Sequence, residues 1–204
     1  GRVISRSPWW WATILVTGCA GSIAPVVVDP TATPPSPPLP LAGVLVLESW
    51  GAPAEDTVVR FPAGADRVIL LRRGAPDNNL FARLVFPAGS ITPARGNTIT
   101  LRLRPRPGVF GIDLSTEDRF TNGAQIAFSY GLHFVAPAGA RAAYGNDYRF
   151  ERYLAVSRLG PDSTVVFLDS YRIASDVLTA PITGVGSYLV AAPRSAPRFR
   201  SLAW

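Results

Sequence analysis

The chain has 204 residues, of which 48% are hydrophobic, 17% charged and 10% aromatic, too apolar for wholesale disorder and long enough for one domain with tails. One His and one Cys exclude a zinc cluster, an iron–sulfur site and a structural disulfide within the chain, and leave His133 as the only imidazole for a nucleophile–His triad. All 20 cationic residues are Arg, a usage read as codon bias before function; with Arg2 and Arg6 in a segment expected to be removed, 18 face 14 acids, far from the field of a dedicated nucleic-acid binder.

Arg2 and Arg6 precede an apolar run, Trp9 to Thr17, followed by Gly18 and Cys19. A basic start, a short apolar stretch and small residues at a cut describe a secretory signal. As a helix the run would span about 14 Å, half of what a bilayer core of ~30 Å requires. Val16-Thr17-Gly18-Cys19 resembles the lipobox of bacterial lipoproteins, in which the Cys is acylated and becomes the new N-terminus. That resemblance implies a signal peptide over 1–18 and lipidation at Cys19, the sole Cys. The absence of Asp at the following position (Ala20) implies the outer membrane by the enterobacterial sorting rule. With no Met, the chain is expected to lack its initiator or to begin inside the encoded protein.

Seven Pro lie between residues 20 and 40. Pro fixes φ and donates no hydrogen bond, so 19–40 is expected to be an extended, solvated linker behind the lipidated Cys.

Residues 41–192 read as strands. In Thr98–Arg104, Ile99, Leu101 and Leu103 take one face, while Thr98, Thr100, Arg102 and Arg104 take the other. Gln125–Phe134 alternates likewise, placing Ile126, Phe128, Tyr130, Leu132 and Phe134 inward and His133 on the polar face. Further strands are expected at Val44–Glu48, Thr57–Phe61, Arg67–Leu71, Phe81–Phe86, Val109–Leu114, Tyr153–Ser157, Thr164–Leu168 and Tyr188–Ala192. Asn122-Gly123 predicts a hairpin turn. Phe-Pro-Ala-Gly occurs at Phe61–Gly64 and Phe86–Gly89, each read as an inward Phe followed by a turn with Pro at its first central position. Only Arg172–Leu178 approaches helical spacing. Strands in series predict an all-β chain, an antiparallel β-sandwich or barrel, of which the sandwich is the expectation taken forward. Residues 193–204, basic with two aromatics, are expected to form a disordered tail.

Leu84–Ile91 resembles a conserved-type turn of the ZU-five domain, an immunoglobulin-like β-sandwich of ankyrins and netrin receptors. Bacterial lipoproteins with a similar domain show pieces matched in order by Thr98-Ile99-Thr100, by Gly131, Leu132, Phe134, Pro137 and Tyr144, and by Tyr188, Val190 and Ala191. The likeness covers 84–192. It lacks the usual opening Gly-Gly strand, carries extra residues between Leu103 and Gln125, and has a strand after Pro137 that is less apolar than usual. It implies a non-catalytic binding or scaffold module and names no ligand.

Candidate chemistry is sparse. His133 could act as a base beside a nucleophile, against the plainer reading of an exposed strand His. Glu117-Asp118, joined by Asp113, could hold Ca²⁺, against a solvated loop. Facing carboxylates of a glycosidase are neither supported nor excluded. Arg102, Arg104 and Arg106 form a ladder of like charge, with Arg72-Arg73 as candidate neighbours. They are the candidate anion-binding residues, against a solvent face paired with Asp or Glu. Tyr144, Tyr148 and Tyr153 would serve a carbohydrate-binding module if they formed an exposed strip. The expectation is an envelope lipoprotein that is not an enzyme and needs no metal or cofactor. It would be anchored to the membrane by lipid, with a protein or anionic glycan as partner and no nucleic acid. The alternatives are a carbohydrate-binding or adhesin-like module, and a hydrolase on a β-scaffold.

Overall fold

Every second residue of Thr98–Pro105 is buried, and Arg67–Arg72 follows nearly the same alternation, whereas Gly186–Pro193 is buried on both faces over most of its length. The computed structural model describes residues 38–195; the signal segment, Cys19 and the end of the basic tail lie outside the described residues. In chain order the strands are β1 Leu39–Pro40, β2 Val44–Val46, β3 Glu48–Ser49, β4 Thr57–Pro62, β5 Arg67–Arg72 and β6 Leu80–Phe86. They continue as β7 Ile91–Thr92, β8 Thr98–Pro105, β9 Gly111–Ser115, β10 Arg119–Phe120, β11 Gln125–Ser129 and β12 Phe134–Val135. Two short helices follow, α1 Ala140–Tyr144 and α2 Asp147–Arg152. The last strands are β13 Ala155–Leu159, β14 Thr164–Phe167, β15 Tyr171–Ala174, β16 Val177–Pro181 and β17 Gly186–Pro193.

Two antiparallel sheets carry the fold. The larger runs β1-β14-β13-β17-β9-β8-β4, with β2 also paired to β17. The smaller runs β15-β16-β11-β6-β5. Their inner faces share one core: Leu101, Ile112, Val156, Tyr188 and Val190 come from the first, and Ile69, Leu84, Phe86, Ile126, Phe128 and Leu178 from the second. The protein is therefore an all-β antiparallel sandwich.

β1 lies beyond β14, while β2 lies beyond β17, with β13 between. The chain from Leu39 to Val46 therefore crosses the outer face of the larger sheet. It packs Leu39, Val44 and Val46 on Ala155, Leu159, Val165, Phe167 and Ala191 as a second small core. Strand pairing thus reaches two residues ahead of 41 and one past 192, to Leu39 and Pro193.

Several local expectations are corrected. The two Phe-Pro-Ala-Gly turns begin one residue later than expected, because the Pro62 and Pro87 carbonyls accept from Ala65 and Ser90. Pro is therefore the first residue of each turn and Gly its third. Both Phe do face inward, with ring centroids 6.0 Å apart, and the Gly89 amide donates to the Ala63 carbonyl, so the two turns are stitched together. Asn122-Gly123 joins β10 to β11, which pair with different strands, so it is not a hairpin turn. Arg172–Leu178 is extended at both ends, with Arg172 of β15 paired to Leu178 of β16 across the short turn between them. The segment after Pro137 is helical: Asn146 caps α2 by accepting from the Arg149 amide, and Ala140, Tyr144 and Phe150 join the main core.

Candidate functional site

Two places gather polar side chains that the fold positions firmly. The first is the outer face of β8. Alternation turns Thr98, Thr100, Arg102 and Arg104 away from the core, and pairing sets Arg60 of β4 beside Thr100 and Ser115 of β9 beside Arg102. The Arg ladder is not uniform. Arg104 Nε donates to Asp56 Oδ2 at 3.1 Å, with both side chains mostly in solvent. Arg106 Nη1 lies 3.4 Å from Asp113 Oδ1 and 3.2 Å from Ser187 Oγ, and that hydroxyl donates to Asp113 at 2.6 Å. The Arg102 guanidinium makes no ion pair or hydrogen bond with any described residue. Arg72 belongs to the other sheet and Arg73 is buried, so neither extends the ladder.

Beside Arg102 a cavity of about 280 Å³ is lined by Arg95, Thr98, Thr100, Glu117 and Asp118. Asp118 builds its floor. Its Oδ1 accepts from the Ala94 amide at 2.8 Å, and its Oδ2 accepts from the Thr100 amide at 3.1 Å and stands 2.9 Å from the Thr116 hydroxyl. Desolvation pushes the Asp118 pKa up, but these three hydrogen bonds outweigh it and hold the carboxyl below its ordinary value. Asp118 is thus committed to tying the 94–97 loop to β8, and Asp113 to Arg106 and Ser187. The structure does not bring Glu117, Asp118 and Asp113, weighed together for calcium, into one cluster. Among the described residues no group of three or more His, Cys, Asp or Glu stands together as a metal site would need.

The second place surrounds His133, and here the exposed-strand expectation is overturned. β11 ends at Ser129, and His133 lies in the turn before β12, nearly fully buried. The inward assignment of Leu132 fails for the same reason: it is 69% exposed. Asp77 Oδ2 stands 3.3 Å from His133 Nε2, within ion-pair distance but off the hydrogen-bond direction, so neither ring nitrogen is hydrogen-bonded. Trp50, 59% exposed, sets its ring edge-on to the imidazole, centroids 4.8 Å apart. Gly51 completes the contact. Its φ is +87°, and a Cβ there would stand 3.3 Å from both Asp77 Oδ2 and His133 Cε1.

Arg73 holds this loop from beneath. Its Nη1 donates to the Trp50 and Ala52 carbonyls at 3.2 and 3.4 Å, its Nη2 donates to Ser49 Oγ, and it lies 5.2 Å from the ring centroids of Phe81 and Phe110. Burial lowers the Arg73 pKa, and the nearby Asp77 charge opposes that shift. Sequence reasoning missed Trp50, and it named Arg73 only as a candidate neighbour of the Arg ladder, not as the brace of this loop. Parity with Ile69 and Leu71 was the available signal for Arg73.

The other candidates are dispersed. Tyr144 is buried, donates to the Pro193 carbonyl at 2.6 Å and packs on Tyr153, with centroids 5.2 Å apart. Tyr148 alone of the three is exposed, so no aromatic strip forms. A second, shallower cavity of about 420 Å³ is lined by residues 134–139 with Arg141 and Asp147. Neither cavity includes His133.

Fold and sites together define an all-β sandwich whose polar clusters brace loops. Comparison with protein-family models, with curated proteins and with solved structures returned no match.

Proposed function

We propose that the chain is a lipid-anchored envelope lipoprotein whose β-sandwich is a non-catalytic binding or scaffold module, held at the outer membrane. The observation that carries this is Val16-Thr17-Gly18-Cys19 directly behind a basic and apolar segment, with the chain's sole Cys at its end. A single acyl chain binds membranes only marginally, and stable anchoring takes two or more. The diacylglycerol and amide-linked chains of the lipoproteins that this segment resembles meet that requirement. The binding role is supported by how the acids are used. Asp118, Asp113 and Asp56 brace amides or Arg side chains, while Trp50 stands in solvent on a loop fixed by Arg73.

The partner in this reading is a protein or an anionic glycan, with the membrane reached through lipid. Metabolic labelling with palmitate tests the anchor. The intact chain incorporates label and partitions into detergent, and Cys19→Ser abolishes both. A Cys19→Ser chain that still takes up palmitate and still enters detergent overturns the reading.

A further inference from the structure

We infer that the cavity beside Arg102 is a binding site for an oxyanion, a sulfate or carboxylate group carried on an acidic polysaccharide. This deepens the proposal of a binding module and rests on it. Two cations line the cavity, Arg95 from the loop before β8 and Arg102 from β8 itself. Neither guanidinium makes an ion pair or hydrogen bond with a described residue. Two residues along the same strand face, Arg104 is held by Asp56, and beyond it Arg106 by Asp113. The ladder thus leaves unmatched the one Arg that faces a cavity.

The floor acid does not compensate these cations directly. Asp118 oxygens face the Ala94 and Thr100 amides and the Thr116 hydroxyl. Those bonds fix the loop that carries Arg95, so the two guanidinium groups are held on a braced frame. Thr98 and Thr100 line the same space. A planar guanidinium fork matches the spaced oxygens of carboxylate and sulfate, and a hydroxyl donates to the same groups. Glu117, also lining the cavity, is the internal competitor for the cations. A volume of about 280 Å³ takes one charged sugar unit rather than a whole chain. The site would therefore read a polysaccharide one anionic group at a time.

Isothermal titration of the full chain in detergent tests this with four probes: dextran sulfate, polygalacturonate, neutral dextran and inorganic sulfate. The two acidic polymers are expected to bind and neutral dextran not to. Inorganic sulfate should compete with the polymers only weakly, since it brings one anion at a time. Arg95→Gln and Arg102→Gln should each weaken polymer binding about tenfold, the weight of one charge-assisted hydrogen bond. Glu117→Gln should strengthen it. Arg104→Gln is the decisive comparison, because it removes the same charge from the same strand face at a residue already neutralised by Asp56. It should change affinity about twofold or less.

An Arg104→Gln loss equal to that of Arg102→Gln would show generic charge attraction and overturn the site. Binding of neutral dextran, or no binding of either acidic polymer, overturns it too. All the variants change exposed side chains, and unchanged thermal unfolding confirms that they fold. None of these results bears on palmitate incorporation at Cys19, so failure of the site and failure of the anchored-lipoprotein reading are told apart.

Discussion

Arg73 shows how one side chain can organise a loop. Its guanidinium is buried, bonds two backbone carbonyls and a hydroxyl, and lies 5.2 Å from the centroid of each of two Phe rings that stack on one another. Removing the donor strands the Trp50 and Ala52 carbonyls, and the cost of unmade buried hydrogen bonds exceeds the worth of made ones. Arg73→Met should therefore cost about 2–4 kcal/mol, read as a lower urea midpoint at unchanged slope. Arg73→Lys should recover only part of it, since an ammonium cannot span the same forked set. An Arg73→Met midpoint equal to the parent's would refute this bracing role.

Asp118 links residue chemistry to pH. Its folded pKa is depressed, so its contribution to stability is present above the ordinary carboxylate range and lost as pH falls through the lower folded value. Unfolding free energy measured from neutral pH downward should fall less steeply in that acid window for Asp118→Asn than for the parent. Superimposable acid limbs would contradict the assignment. Nothing about Asp118 as a clamp was legible in the sequence, because its partners Ala94 and Thr100 lie 24 and 18 residues away.

At the scale of elements, alternation identified strands wherever one face is buried and the other is not. β8 and β4 pair in one register from Thr57–Leu103 to Pro62–Thr98, and both were legible. β15 was not, because it is an edge strand whose residues are mostly exposed and carry no alternating signal. His133 was misplaced by counting parity past the end of β11: the Tyr130–His133 turn, closed by the His133 amide on the Tyr130 carbonyl, resets which way side chains point. α2 did have a sequence signal, Asn146 as cap with Asp147 in the first turn, but six residues are too few for helical periodicity.

The contact of β9 with β17 carries its own test. A Cβ on Gly111 would stand 2.6 Å from Cδ2 of the buried Leu189 and 3.3 Å from the Tyr188 carbonyl. Gly111→Ala should cost about 1–3 kcal/mol by overpacking. Gly64→Ala, with nothing within 4 Å and no positive φ, should be neutral or slightly stabilising. Equal midpoints for the two variants would mean that β9 and β17 are not in this close contact.

At the scale of the whole molecule, the sandwich class was legible because strands with one buried face, such as β5 and β8, carry the same period of two. The assembly of strands into sheets was not, since pairing such as β2 with β17 joins residues almost 150 apart in sequence. The second small core is of this kind: its Leu39 and Ala191 come from opposite ends of the described residues.

That pairing also sets how the sandwich responds to tension. Val44 of β2 lies opposite Pro193 of β17, and the Arg194 amide and side chain bond the Gly43 and Ala42 carbonyls. The start of β2 and the end of β17 therefore lie at one corner, while β1, just ahead of β2, is paired to β14 across the sheet. A pull on the two ends of the described chain would strip the two-residue β1 from β14 and then peel β2 from β17 rung by rung, whereas a pull between the entry strand and a ligand held on β8 would meet many rungs at once. An optical-trap comparison of the two loading directions should find the first to yield at much lower force.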